Sequence, residues 1–168
     1  MQTDFKELLT WLKKTATTVS TPRKERVNTT LSATQFQEGL LQILNRGFNR
    51  LITITGDDVG THFQLIYHLT RDDTVISIKT LVGKETATHP TISDLLPAAT
   101  LYEQEVHELF GIDFQGHPDL APLLLPDNWP PNVYPPQKNW SLSALTKKLK
   151  EAPSPDDPSY KATTSNGE

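Results

Sequence analysis

Apolar residues recur along the first ninety positions with two different periods. Phe5, Leu8, Leu9 and Leu12 fall on one stripe of a helix, and Phe36, Leu40, Ile43 and Leu44 fall on another, because spacings of three and four place side chains on one helical face. Ser32 and Gln35 are spaced as a capping box ahead of the second helix, and Gly47 stands just past its end, which predicts both its start and its stop. Elsewhere the period is two. Val27 to Leu31 reads as an extended segment after a linker from Pro22 to Arg26. Ile52 and Ile54 alternate with threonines, Phe63, Leu65, Tyr67 and Leu69 alternate with His62, Gln64 and His68, and Ile76 and Ile78 follow. The turns T-G-D-D-V-G and R-D-D between the last three segments are short, which makes those strands antiparallel neighbours. Alternation gives such a sheet one dry and one wet face, and the two helices are expected on the dry one. No internal repeat is present.

After Pro90 the pattern changes. Residues 98–110 carry Tyr102, Val106, Leu109 and Phe110 on an apolar stripe, predicting a helix with Glu103 and His107 exposed elsewhere on its surface. Gly111 is placed to end it with a left-handed cap. Ile112 to Phe114 is a short apolar segment that Gly116 stops, and beyond Pro118 nothing regular is expected. The expected fold class is α+β: a mainly antiparallel four-stranded sheet with helices on one face, then this helix and an extended, proline-rich C-terminal arm. The expected organisation is an α+β domain over 1–112, an arm with a short terminal helix over 113–151, and a disordered or draped tail over 152–168.

Composition narrows the function classes. The 168 residues suit one domain with an appended segment, since a chain of this size buries a single modest core. The absence of cysteine excludes disulfides, thiolate-bound zinc and cysteine-ligated iron-sulfur clusters in this chain. A net charge of −4 with no basic, aromatic-interleaved cluster argues against nucleic acid as a partner. No apolar run approaches the length of a membrane span and no secretory leader pattern opens the chain, so membrane association is expected only through partners.

The densest chemistry lies between Tyr102 and Trp129: carboxylates, two histidines, two glycines and several prolines in one unbroken run. Each catalytic reading of it has a plainer competitor. Glu103, His107 and His117 form a candidate metal set, which would make the chain a small metal-dependent enzyme, but a Glu-His pair one helical turn apart is more often a salt bridge. Glu103, Glu105 and Glu108 supply paired carboxylates without an evident apolar pocket to split their pKa values. The Asp57–Asp58 and Asp72–Asp73 pairs fall in turns, where aspartate bonds its own backbone, without EF-hand spacing. His62 and His68 fall on the wet side of a strand, where solvated histidines are common. The run Lys147 to Lys150 reads as a helix face. There is no phosphate-binding glycine loop and no nucleophile elbow.

The same run carries an ordered motif. Glu103, Glu105, Glu108, Phe110, Gly111, Ile112, Phe114, Gly116, His117, Pro118 and Leu120 are followed by Leu124, Leu125, Pro126 and Trp129, then by Tyr134, Pro135 and Lys138. This resembles the signature of the C-type hydrophilic subunit of the proton-pumping NADH:quinone oxidoreductases (complex I), shared with the equivalent subunit of membrane-bound energy-converting [NiFe] hydrogenases and formate hydrogenlyases. The motif covers about a quarter of the chain, which makes it far more specific than an isolated G-H-P. Three departures stand out. Gln104 replaces the arginine between the first two glutamates, Ala121 and Pro122 replace a basic pair, and Gln137 and Asn139 flank Lys138 in place of Arg and Asp. Arginine's bidentate contacts have no substitute in glutamine or alanine, so the partner surface there must differ. The P-L-L-L-P and N-V-Y-P wording leans toward the hydrogenase branch.

The resemblance implies a cofactor-free structural and assembly subunit in the hydrophilic arm of a complex-I-like redox complex, peripheral on the cytoplasmic side of the cell membrane and without an active site of its own. Its implied partners are the large catalytic subunit and iron-sulfur subunits, which would carry the clusters and a NiFe centre, flavin or quinone. No catalytic, metal or cofactor-binding residue is expected. The expected interface is Glu103, Glu105, His107, Glu108, His117, Pro118, Asp119, Trp129, Tyr134, Pro135, Lys138 and Trp140, with the aromatic residues as anchors.

Overall fold

The computed structural model describes residues 2–152, with side chains from Phe5 onward, so the tail expected over 152–168 lies, past its first residue, outside the described residues. Helix α1 (Gln2–Thr15) leads into β1 (Thr18–Arg23) and β2 (Arg26–Thr30). A short 3-10 turn (Ala33–Gln35) and α2 (Phe36–Leu44) follow, then the meander β3 (Arg50–Asp58), β4 (His62–Arg71) and β5 (Thr74–Gly83). These five strands form one sheet in the order β1-β2-β5-β4-β3. The meander is antiparallel throughout, whereas β2 lies parallel to β5 from Arg26↔Val75 to Thr30↔Lys79.

The sheet is mainly antiparallel, as expected, but it has five strands rather than four. The additional strand is β1, an edge strand paired with β2 that takes in Pro22 and Arg23 of the segment read as a linker, while Arg26 at its other end opens β2. It carries a single partly buried apolar residue, Val19, and Pro22 near its end. Proline is tolerated on an edge because its missing N–H faces outward, so the strand leaves no periodic signal.

Phe63, Leu65, Tyr67 and Leu69 of β4 and Ile76, Ile78 and Val82 of β5 form the dry face, and Leu8, Leu12, Phe36, Leu40 and Ile43 cover it from α1 and α2. Just past the end of α2, the Arg46 guanidinium lies 5.2 Å from the Trp11 ring of α1. The Gln35 side chain reaches back to Ser32, accepting from its hydroxyl at 2.8 Å, and donates to the Thr15 carbonyl at 2.9 Å, tying the start of α2 to the end of α1.

A second unit leans on this layer. β6 (Thr88–Pro90), α3 (Ala99–Phe110) and β7 (Asp113–Gln115) form a β-α-β arrangement whose two short strands pair in parallel. The apolar segment after the signature helix therefore closes this unit, with Phe114 and Ile112 buried; residues 113–115, expected at the root of the arm, pair with β6 instead. Phe110 packs on β3 where Gly56 has no side chain: a Cβ there would lie 2.6 Å from the Phe110 ring. Only glycine permits this approach of helix to strand. The chain ends, within the described residues, in α4 (Leu142–Glu151).

Candidate functional site

Helix α3 ends as its sequence requires. Gly111 takes φ 71° and donates its N–H to the His107 carbonyl at 2.7 Å, a left-handed cap that leaves the chain running toward β7. His107 Nδ1 donates to the Ile112 carbonyl at 2.8 Å, so this histidine serves the same cap. Val106 and Phe110 are buried, while Tyr102 and Leu109 are only partly covered.

Glu103 departs from expectation: it is fully buried rather than exposed. Its Oε1 accepts the Ile92 N–H at 2.8 Å and its Oε2 accepts the Thr91 hydroxyl. The periodicity of α3 marks apolar positions as buried. What draws Glu103 inward is the N–H and hydroxyl of a loop eleven and twelve residues upstream. Burial raises the carboxyl above the usual range; the Thr91 and Ile92 bonds and the neighbouring His117 pull it back, while Asp94 adds to the rise.

The His117 side chain is also enclosed, with Nε2 3.9 Å from Glu103 Oε2. Nε2 donates to the Thr100 carbonyl at 3.1 Å and Nδ1 accepts the Asp119 N–H at 3.1 Å, a pattern that fits the Nε2–H tautomer. His117 thus staples the turn after β7 to the first turn of α3. Glu103, His107 and His117 are not brought together as a metal set. Among the described residues no three histidine, aspartate or glutamate side chains are grouped to hold a metal ion.

His89 and Asp58 bear on this region; the sequence did not single out His89, and it marked Asp58 only as a turn aspartate. His89, on β6, is buried among the rings of Phe36, Tyr67 and Phe114. Burial pushes it down to about 4, against the opposing pull of the Pro90 carbonyl. Its Nδ1 lies 3.0 Å from that carbonyl and 3.3 Å from the Tyr67 hydroxyl, while Nε2 is buried with no partner among the described residues. Tyr67, wholly enclosed, has its phenol pushed well up by burial and by the Glu103 charge.

Asp58 is 1% exposed yet sits near the rim of the sheet. Burial alone would raise its carboxyl; the Lys84 ammonium at 2.7 Å and the N–H groups of Lys138 and Gly60, each at 2.8 Å, prevail and hold it at about 2. Its Gly60 bond is the expected turn contact. The Lys138 bond, spanning eighty residues, ties the arm to the β3–β4 turn. The signal was present in β3, where Ile54, Gly56 and Asp58 share one face by alternation.

From His117 the arm runs beside α3 in the helix's own direction. Gln104 Nε2 donates to the Ala121 carbonyl at 3.0 Å, so two of the motif's departures meet each other. The Glu108 carboxylate accepts the N–H groups of Leu124 at 2.7 Å and Leu125 at 2.8 Å. Gln137 Nε2 donates to the Phe110 carbonyl at 2.8 Å, and the Tyr134 ring covers Gly111, where a Cβ would lie 2.5 Å from Cζ. Trp129 Nε1 donates to the Val133 carbonyl at 2.7 Å, closing a local loop. Between His107 and Glu108 on one side and Leu125, Trp129, Val133 and Tyr134 on the other lies a cleft of about 200 Å³. Pro118, Asp119 and Lys138 are exposed, Glu105, Pro135 and Trp140 half-buried.

A mixed five-stranded sheet, a parallel β-α-β unit beside it and a proline-rich arm strapped along α3 define the α+β class of the fold. Residues 29–145 match the family described as the respiratory-chain NADH dehydrogenase 30 kDa subunit. The chain belongs to that family. It is 33% identical to NADH-quinone oxidoreductase subunit 5 of Thermus thermophilus over 108 residues, 56% of this chain and 52% of that protein. It is 34% identical to the equivalent NADH-quinone oxidoreductase subunit of Acidothermus cellulolyticus over 104 residues, 60% of this chain and 53% of that protein. The chain thus spans about half the length of these relatives.

Two solved structures share the fold. A trypsin-resistant fragment (1–134) of Nqo5 superposes with a TM-score of 0.63 at 27% identity, covering 70% of this chain and 99% of the fragment. A chain of the membrane-bound sulfane sulfur reductase, an archaeal respiratory membrane complex, superposes with a TM-score of 0.76 at 25% identity, covering 93% of this chain and 94% of the other. The remaining 7% of 168 residues is about 12, fewer than the 40 residues of 113–152, so the likeness to the complex's chain takes in most of the arm.

Proposed function

We propose that the chain is a cofactor-free structural and assembly subunit in the hydrophilic arm of a membrane-bound complex-I-like redox complex, docking on the large catalytic subunit. The observation that carries this is the arm itself. It contributes one buried apolar side chain past β7, Val133, yet the sequence family continues through it to residue 145. A segment that adds almost nothing to its own core finds its physical reason on another surface. The chemistry of the carboxylates agrees: Glu108 accepts two arm N–H groups, Asp58 accepts the Lys138 and Gly60 N–H groups and the Lys84 ammonium, and Glu103 is held by the Thr91–Ile92 loop, leaving no free general acid or base among them.

The docking face is drawn from Glu105, His107, Pro118, Asp119, Trp129, Tyr134, Pro135, Lys138 and Trp140. Glu103, Glu108 and His117, spent within the chain, shape that face from behind. The clusters and any NiFe centre, flavin or quinone would reside on partner chains, and the P-L-L-L-P and N-V-Y-P wording leans toward a hydrogenase-type branch. The test is co-purification from the native host. Trp129→Ala with Tyr134→Ala should lower the yield of large subunit recovered with the tagged chain while shifting its melting by no more than a few degrees, since interface aromatics concentrate binding energy. Unchanged recovery would remove the aromatic cleft from the docking face.

A further inference from the structure

Helix α4 is the one α-helix of the described residues with no buried side chain. Leu142, Leu145 and Leu149 recur on one stripe, and Leu142, 83% exposed, is the most exposed large apolar residue described. Lys147, Lys148 and Lys150 flank the stripe. Within the described residues they meet only Glu151, at 4.0 Å from Lys147 and 3.9 Å from Lys148, and exposed pairs of that kind contribute little. A ten-residue helix without tertiary packing is marginal in water, although Ser141 Oγ caps it by accepting the Ala144 N–H at 3.2 Å.

The arm is fastened to the domain as far as Gln137 and Lys138. Thus α4 is the first element past the last tie, and its departure point is set by Asp58. Building on the reading above that the chain is a subunit of a larger complex, we infer that α4 is a docking helix whose leucine stripe enters an apolar groove with an acidic rim on a neighbouring protein subunit. The three lysines specify the sign of that rim, because patterned charge around an apolar stripe selects its complement. A lipid surface fits less well. Asp156 and Asp157 follow within six residues of Glu151 in the sequence and would oppose anionic headgroups, and three leucines give a short stripe for membrane insertion.

The test uses the complex isolated from its host through the tagged full chain. Zero-length carbodiimide cross-linking followed by peptide mass spectrometry should join Lys147, Lys148 or Lys150 to aspartate or glutamate residues of another subunit. The variant Lys147→Glu/Lys148→Glu/Lys150→Glu, and separately Leu142→Ser/Leu145→Ser, should reduce the chain retained in the complex at least tenfold with the melting of the isolated chain unchanged. A wild-type chain that enters no complex overturns the subunit reading, and this inference with it. A complex that forms equally with wild type and both variants overturns only the role of α4. Cross-links confined to a second copy of this chain, or α4-dependent binding of the isolated chain to phosphatidylglycerol vesicles, would also overturn it.

Discussion

Replacing Phe110 by alanine tests whether α3 is part of the domain core or a helix held for a partner. The ring is 6% exposed, lies directly over Gly56 and meets Phe63 edge-on with centroids 6.0 Å apart. Gly56 has no side chain with which to fill the vacated space, so the cavity should persist. Deleting a buried phenylalanine costs about 3 to 5 kcal/mol, of which the aromatic contact with Phe63 accounts for roughly 0.5 to 1.5 kcal/mol. At about 2 to 4 °C per kcal/mol for a domain of this size, the melting temperature should fall by roughly 6 to 20 °C. Urea unfolding followed by circular dichroism gives the same quantity if the slope with denaturant is unchanged. A loss below about 1 kcal/mol would show that the stripe through Val106 and Phe110 is not core, and the packing account of α3 would fail.

Three further outcomes follow from the buried polar groups. His89 is held neutral in the fold at about 4 against an ordinary value of 6.5, so its contribution is complete above pH 6.5 and is lost as pH falls from 6.5 toward 4. That window holds up to about 3 kcal/mol, and His89→Gln should flatten stability-pH curves there; equal slopes would contradict the burial argument. Glu103→Ala leaves the Ile92 N–H and Thr91 hydroxyl unpaired and should cost about 2 to 3 kcal/mol in chemical denaturation, whereas Glu103→Gln keeps an acceptor and should cost less; the reverse order would contradict this. Asp58 stays charged down to about pH 2, so the arm is tied at every physiological pH, and Asp58→Ala should speed limited proteolysis within 113–140 while the sheet resists; unchanged cleavage would show that the tie is dispensable.

Local regularity made parts of this fold legible. The β3–β4–β5 meander and α2 announced themselves because short turns and uninterrupted periods are properties of adjacent residues. The parallel pairing of β2 with β5 did not, since it depends on how a 43-residue connection returns to the sheet, residues 31–73. The signature marked Glu103, Glu108 and His117 as special, but helical periodicity placed Glu103 outside, because it cannot represent a carboxylate satisfied by a distant loop. His89 follows no alternation and was passed over. The meeting of Gln104 with the Ala121 carbonyl gives one motif departure a structural role that substitution chemistry alone did not suggest.

The central claim is that this chain works as a non-catalytic subunit of a complex-I-like assembly. Native electrophoresis of gently solubilised host membranes, with the chain followed by antibody and the co-migrating proteins identified by mass spectrometry, tests it most directly. The account predicts one high-mass band containing this chain together with a large catalytic subunit and iron-sulfur subunits. The same chain migrating alone near its own 18.8 kDa, with no redox protein beside it, would contradict it.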